Sequence, residues 1–295
     1  MFYFIEKPYY SGYLRFIGAL FCVYLFYQSI NKLMNLSLIG KSALVGGSSQ
    51  GIGKAAAIEL ALLGANVILL ARNQQKLQEA LTELDTSKGQ KHSYIQADFA
   101  DPAALKANIE SFLQNHSPIH ILINNTGGPA AGPASLASTE EFLSAFNNHL
   151  VCNHILVQAV IPGMKAEKYG RIVNVISTSV KQPIPGLGVS NTIRGAVANW
   201  SKTLAGELAS FGITVNNVLP GTTNTIRLQA IFENKAQKAG KSVEEIKNEM
   251  IAEVPAGRIA ESYEIANAIA FLASPAASYI NGINVPVDGG RTACL

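Results

Sequence analysis

From about residue 41 onward, two hydrophobic rhythms alternate along the chain. Short, near-continuous apolar runs occupy 41–46 (KSALVG), 66–70 (NVILL), 93–96, 119–123 (IHILI), 171–176, 213–218 and 283–287. Between them, apolar residues recur at helical spacing, as Ile52, Ala56, Ile58, Leu60 and Leu63 do over 51–63. Helices are likewise predicted over 74–84, 139–165, 189–210, 226–253 and 261–273. Another begins at Asp101-Pro102, an N-cap residue followed by proline at the first helical position. Strands that alternate with helices make βαβ crossovers, and these give a parallel sheet covered on both faces. The apolar runs suit strands buried on both sides. The expected architecture is therefore α/β: a doubly wound, parallel, seven-stranded sheet with helices on both faces. No repeat or low-complexity linker divides 34–295, so one domain is expected there.

Residues 1–33 break the rhythm. The run 16–27 (FIGALFCVYLFY) is uninterrupted and apolar, flanked by Arg15 and Lys32. It is somewhat short for a spanning helix, which needs about 20 apolar residues. No small-residue cleavage site follows, which argues against a removed secretory signal. Three readings stay open: an uncleaved membrane anchor, a helix lying on a membrane or a partner, or an upstream start preceding a true one at Met34. Membrane contact is expected only through this segment, so the expected place is the cytoplasm or, with an anchor, its membrane face.

Composition changes this picture little. The 295 residues are 48% hydrophobic and only 15% charged, with a net charge of +3. That small excess, with no basic stripe interleaved with aromatics, gives no reason to expect nucleic acid as a partner. Cys22, Cys152 and Cys294 are far apart and odd in number. They fit reduced thiols and no metal site.

The chemistry starts between the first strand and the first helix, at Gly46-Gly47-Ser48-Ser49-Gln50-Gly51-Ile52-Gly53. Glycines permit a tight turn and a close backbone approach, and the helix start offers N–H groups and a positive dipole end to a diphosphate. The strand before and the helix after supply the context such a loop needs. The second strand ends in Leu70-Ala71-Arg72-Asn73. A carboxylate there would bind a free ribose 2′-hydroxyl, whereas Arg72 accommodates a 2′-phosphate, so NADP(H) is expected over NAD(H).

These motifs resemble the short-chain dehydrogenase/reductase family, in which the first loop reads TGxxxGxG. Gly46 stands in the threonine's place, and Gly47, Gly51 and Gly53 match. The resemblance covers about 260 residues and continues in order. Asn124-Asn125-Thr126-Gly127 resembles NNAG, Pro220-Gly221 with Thr225 resembles PGxxxT near the nicotinamide amide, and Val287-Asp288-Gly289-Gly290 resembles the terminal VDGG. Asp98 resembles the residue that meets the adenine. The resemblance implies a Rossmann fold and a cofactor site made of Gly47, Ser48, Ser49, Gly51, Ile52, Gly53, Arg72, Asp98, Asn125, Gly127, Arg194, Pro220, Gly221 and Thr225. It also implies a homotetramer or homodimer.

The same resemblance fails at the catalytic positions. Active members use asparagine, serine, tyrosine and lysine. Ser177 matches the serine, but the tyrosine position is Ser190, the lysine position Arg194 and the asparagine position His149, with Asn147 and Asn148 adjacent. A serine hydroxyl is a far weaker acid than a phenol with a pKa of about 10. Arg194 cannot release a proton, although it can bind a ribose or polarise an oxygen. His149 is expected to work as an acid or base near neutral pH, or to be a helix histidine bonded to backbone. A divergent subgroup similar to 3-oxoacyl-acyl-carrier-protein reductases shares the NNTGGP stretch and a Ser-Asn-x-x-Arg replacement, and the chain resembles it. Two functions follow. One is an NADP(H)-dependent oxidoreductase acting on a small carbonyl or alcohol substrate, with 3-oxoacyl-like compounds among the candidates and catalysis by Ser177, Ser190, Arg194 and His149. The other is an NADP(H)-binding sensor or partner subunit without turnover. Ile226, Leu228, Ile231 and Phe232, in the segment covering the site, suggest an apolar substrate.

Overall fold

The computed structural model describes residues 34–116 and 118–294. Expectations for residues 1–33 lie outside that range. By chain contacts the protein divides into residues 1–35 and 36–295, and the second unit is described here.

Seven parallel strands form one sheet in the order β3-β2-β1-β4-β5-β6-β7. They are β1 (Ser42–Gly46), β2 (Asn66–Ala71), β3 (Ser93–Gln96), β4 (Ile121–Asn124), β5 (Gly170–Val175), β6 (Ile213–Pro220) and β7 (Asn284–Val287). The helices between them are α1 (Gly51–Leu62), α2 (Gln74–Leu81), α3 (Pro102–Gln114), α4 (Thr139–Phe146), α5 (Cys152–Ala166), α6 (Gly188–Leu208), α7 (Ile226–Ala239), α8 (Val243–Ala252) and α9 (Ser262–Ala273). The Rossmann-type α/β fold expected from the alternating pattern is the fold observed.

Successive strand side chains point to opposite faces, and the core divides accordingly. Val45, Val67, Leu69 and Ile123 pack with Ala57, Leu60 and Ala61 of α1 and with Ile265 and Ile269 of α9. Leu44, Ile68, Leu70 and Leu122 pack the other way, with Leu105 and Ile109 of α3, Leu156 and Val160 of α5, and Leu204 and Leu208 of α6. Because both faces are covered, the strands need no polar side, which is why they read as continuous apolar runs.

Two predicted helices are each two elements. The stretch 139–165 is interrupted by a π turn at Asn147–Val151, between α4 and α5. The stretch 226–253 breaks at Gly240, whose φ of 65° ends α7 in a left-handed cap. Ser242 and Glu245 then form a capping box that starts α8. Both signals, a glycine and an S-x-x-E pattern, stand in the sequence beneath a Lys/Glu-rich helical composition. Among the described residues, no helix is long and apolar enough to cross a membrane.

Candidate functional site

The strand order reverses between β1 and β4, which opens a crevice at the carboxyl ends of those strands. Gly46 and Gly47 leave β1 directly against Asn125, which leaves β4. A Cβ on Gly46 would lie 2.9 Å from the Asn125 carbonyl oxygen, and one on Gly47 would lie 2.7 Å from the Asn125 side-chain nitrogen. That nitrogen donates to the carbonyls of Gly46 (3.2 Å) and Gly47 (3.4 Å), locking loop to strand. The tightest point is Gly53, where a Cβ would meet the Gly47 oxygen at 2.3 Å. Backbone thus packs on backbone, as a cradle for a diphosphate requires. The helix behind it is open: Gln50 gives α1 no side-chain cap, and its first turn holds no acidic residue. Neither the cap residue nor the first turn of α1 thus supplies an acceptor to its initial N–H groups or an anion to its positive dipole end.

Within the loop, Ser48 is fully buried, and its hydroxyl accepts from the Leu70 N–H at 2.9 Å. Its side chain ties the loop to β2. Ser49 is half-buried, and Ile52 packs against the core. Thr225 caps α7 by accepting from the Leu228 N–H at 3.2 Å, and its methyl lies 3.4 Å from a Cβ position on Gly51. Pro220 ends β6, and Gly221 sits against Asp288, where a Cβ would be 2.6 Å from the Asp288 Cα.

Arg72 follows β2 and is exposed. Asn73 caps α2 by accepting from the Lys76 N–H, and the Lys76 ammonium donates to the Gln50 side-chain oxygen at 3.3 Å. Lys76 therefore reaches the loop, and no acidic residue lies between it and Arg72 in the chain. Sequence reasoning missed Lys76, although its position one helical turn after Arg72 was a usable signal. Asp98 is exposed just beyond β3, and its carboxylate accepts from the Ala100 N–H. The cradle, the uncapped helix and this cation pair together fit a dinucleotide with a 2′-phosphate.

Of the residues expected to be catalytic, Ser177, Ser190 and Arg194 gather at the end of β5 and in α6. Ser177 lies two residues past β5, half-buried, and its hydroxyl accepts from the Ser179 N–H at 3.1 Å. The Arg194 side chain is buried in α6, only 7% exposed, and donates to the Val175 carbonyl at 3.2 Å. The guanidinium is thus fastened to the strand end that carries Ser177. Burial, followed by the nearby Arg227, lowers its pKa to about 10. Ser190 lies one turn before Arg194 on the same helix face and is half-buried.

His149 sits in the π turn, a feature common at functional sites. It is 1% exposed, and its Nδ1 has no hydrogen-bond partner among the described residues. Burial, then Arg194, then Arg227 pull its pKa down to about 2. The expectation of a titrating acid or base near neutral pH is therefore corrected: His149 is neutral there and offers a hydrogen-bonding atom. Neighbouring Asn147 is exposed and Asn148 half-buried, so His149 is the inward residue of the three. His154 packs edge-on against Trp200.

Sequence reasoning also missed Arg227. Its guanidinium donates to the carbonyls of Gly128 (2.7 Å) and Pro129 (2.9 Å). It was hidden in a segment read for its apolar residues. Leu228 and Phe232 of that segment pack with Ala236 and Ile246 rather than lining an apolar site, while Ile226 is 65% exposed. The apolar-substrate expectation thus loses most of its support. A buried asparagine ladder was missed as well. Asn174 accepts from Asn124 at 2.8 Å, donates to Ser201 at 2.9 Å and to Asn217 at 3.1 Å, and Asn217 donates to Asn284 at 2.8 Å. It ties β4, β5, β6 and β7 together behind the site.

A family model described as enoyl-(acyl-carrier-protein) reductase matches residues 47–292. The 3-oxoacyl-[acyl-carrier-protein] reductase FabG of Vibrio cholerae is 34% identical over 256 residues, covering 86% of this chain and 98% of that protein. The chain belongs to the short-chain dehydrogenase/reductase family. The Escherichia coli K12 reductase of the same name is also 34% identical, over 85% of this chain and 97% of its own. Among solved family structures, L-sorbose reductase from Gluconobacter frateurii, complexed with NADPH and L-sorbose, superposes with a TM-score of 0.83 at 30% identity. That match covers 89% of this chain and all of the other (100%). YwfH, an NADPH-dependent reductase involved in bacilysin biosynthesis, has a TM-score of 0.79 at 28% identity, covering 86% of this chain and 99% of its own.

Proposed function

We propose that this short-chain dehydrogenase/reductase is an NADP(H)-dependent oxidoreductase that interconverts a carbonyl and an alcohol, with 3-oxoacyl-like compounds as the first candidates. The backbone of residues 47–53 and the start of α1 would hold the diphosphate. Arg72 and Lys76 would meet the 2′-phosphate, and Asp98 the adenine. Asn125 and Gly127 would line the floor, and Pro220, Gly221 and Thr225 the nicotinamide amide. Bound NADP(H) supplies or accepts a hydride.

The residues of this chain do the rest. Ser177 donates a hydrogen bond to the substrate oxygen. Arg194 adds a fixed positive charge where negative charge develops, a stabilisation that does not require a strong acid. It also holds the ribose. Ser190, on the Arg194 face of α6, passes the proton to or from water, and neutral His149 orders that water. The observation that carries this reading is the Arg194 bond to the Val175 carbonyl, which fixes a guanidinium at the strand end leading to Ser177. We place the domain in the cytoplasm as a homotetramer or homodimer, with membrane contact only through residues 1–33.

The test is NADPH consumption over a panel of ketones and 3-oxoacyl thioesters. Ser177→Ala should lower kcat by roughly 100-fold, the order of one lost oxyanion donor. The presence of Ser190 where the family has a phenol favours a second reading, a nucleotide-binding sensor or partner subunit. Tight NADPH binding with no turnover on any substrate would select it.

A further inference from the structure

The guanidiniums of Arg194 and Arg227 converge on one glycine. A Cβ built on Gly128 would lie 3.0 Å from an Arg227 terminal nitrogen and 3.6 Å from an Arg194 terminal nitrogen. They come from different elements, α6 and α7, and each is held by backbone carbonyls: Val175 for Arg194, Gly128 and Pro129 for Arg227. Neither forms an ion pair with a carboxylate among the described residues. Arg194 is buried and Arg227 stands exposed at its rim; like charges brought close repel, and the buried one is costly unless something compensates it. The charge that acts on Arg194 is itself cationic. Arg227 lowers the pKa of Arg194, and both cations help to strip His149 of its proton. His149, close enough for both arginines to act on it, has a buried Nδ1 without a partner among the described residues. Carbonyl anchors leave further N–H groups on both guanidiniums, the planar donors that grip an oxyanion.

We infer that the substrate carries an oxyanion of the carboxylate type, held by Arg194 and Arg227 beside Gly128, while Ser177 binds the oxygen that reacts. The inference rests on the oxidoreductase reading and puts oxo acids and hydroxy acids in place of neutral 3-oxoacyl thioesters as its substrate class. A diphosphate would satisfy the same donors, because Thr225, two residues before Arg227, touches the glycine loop. Placement favours the substrate. The diphosphate cradle is built at residues 46–53 against Asn125, whereas Arg194 is fastened to the end of β5 that leads to Ser177.

The experiment uses the full chain saturated with NADPH, calorimetry, and 2-, 3- and 4-oxo acids paired with their methyl esters. At least one acid should bind about 30-fold more tightly than its ester, the order expected for charge-assisted hydrogen bonds of about 2 kcal/mol. Arg227→Gln should erase that preference while the Kd for NADPH holds. Arg227 is at the exposed rim, so this variant should keep its fold, and circular dichroism checks that. Equal affinity for acid and ester overturns the inference, as does no binding of any acid at millimolar concentration. A loss of NADPH affinity in Arg227→Gln with an unchanged acid-to-ester ratio also overturns it and assigns Arg227 to the cofactor diphosphate. Failure of the oxidoreductase reading looks different: acids bind in preference to esters, yet no NADPH is consumed.

Discussion

The two halves of the crevice are built on opposite principles. The nucleotide half, where β1, α1 and β4 meet, is made of backbone. Glycines at 46, 47 and 53 remove side chains so that carbonyls and amides can touch, and the first turn of the helix holds no acidic residue. The half that we propose for the substrate, at the end of β5 and the start of α7, is made of charge: two arginines with no carboxylate ion pair among the described residues, beside a neutral histidine. A backbone cradle suits one invariant shape, a diphosphate. A cluster of side chains can be exchanged residue by residue without rebuilding the backbone. Binding of the cofactor and selection of the substrate should therefore be separable by mutation.

The sharpest break on the nucleotide side is Gly53→Ala. Its Cβ would lie 2.3 Å from the Gly47 carbonyl, and backbone cannot swing aside as a side-chain end can. Overpacking of this kind costs about 1–3 kcal/mol of stability, and displacement of the loop should reduce NADPH affinity by roughly 100-fold, about 2.7 kcal/mol. Gly127→Ala is the control. A Cβ there meets nothing within 4 Å and φ is not positive, so thermal stability should not move. If calorimetry shows NADPH binding unchanged in Gly53→Ala, the cradle is not the diphosphate site.

On the substrate side the largest structural effect is expected from Asn174→Leu. It would strand the side-chain amide of Asn124 and the side-chain carbonyl of Asn217, both buried, while the Ser201 hydroxyl keeps its bond to the Val197 carbonyl. Each abandoned group costs about 1–3 kcal/mol, so a loss of about 3 kcal/mol or more in denaturant unfolding is expected. Stability within 1 kcal/mol of wild type, as a rough threshold, would show that the ladder does not hold β4 to β7 together.

The charge cluster also leaves a pH signature. His149 titrates near 6.5 when unfolded and about 2 when folded. Above pH 6.5 it is neutral in both states and costs nothing. As pH falls from 6.5 toward 2, the unfolded chain takes up a proton that the folded chain refuses, and stability drops. One proton corresponds to a slope of about 1.4 kcal/mol per pH unit. His149→Gln should remove that much of the acid limb in urea titrations between pH 6 and pH 4. An unchanged slope would mean that the histidine takes a proton inside the fold.

The sequence exposed these halves unequally, for the same physical reason. Periodicity and glycines announce backbone geometry, so the alternation of strands and helices and the glycine cradle could be approached from local pattern. Charge clusters are assembled by tertiary contact. Arg227 lies 33 residues beyond Arg194 in the numbering and shares no motif with it. The asparagine ladder draws one residue from each of four strands, and in sequence each looks like an isolated polar interruption of an apolar run. Neutral His149 was unreadable for a related reason, since its pKa depends on neighbours that only the fold supplies.

The smallest expected effect bears on the boundary between the two principles, because the proposed adenosine side is where the nucleotide half would use side-chain charge. Arg72 is exposed there and Lys76 reaches the loop through Gln50. An exposed cation loses strength to solvent and salt, and either one leaves the other in place. Arg72→Ala should thus weaken NADPH by only about tenfold, or 1.4 kcal/mol, with NADH hardly affected, and the weakening should shrink at high salt. Adding Lys76→Ala should take a further, smaller step in the same direction. If the double variant still prefers NADPH, the 2′-phosphate is read by backbone amides, and the nucleotide half is built without side-chain charge throughout.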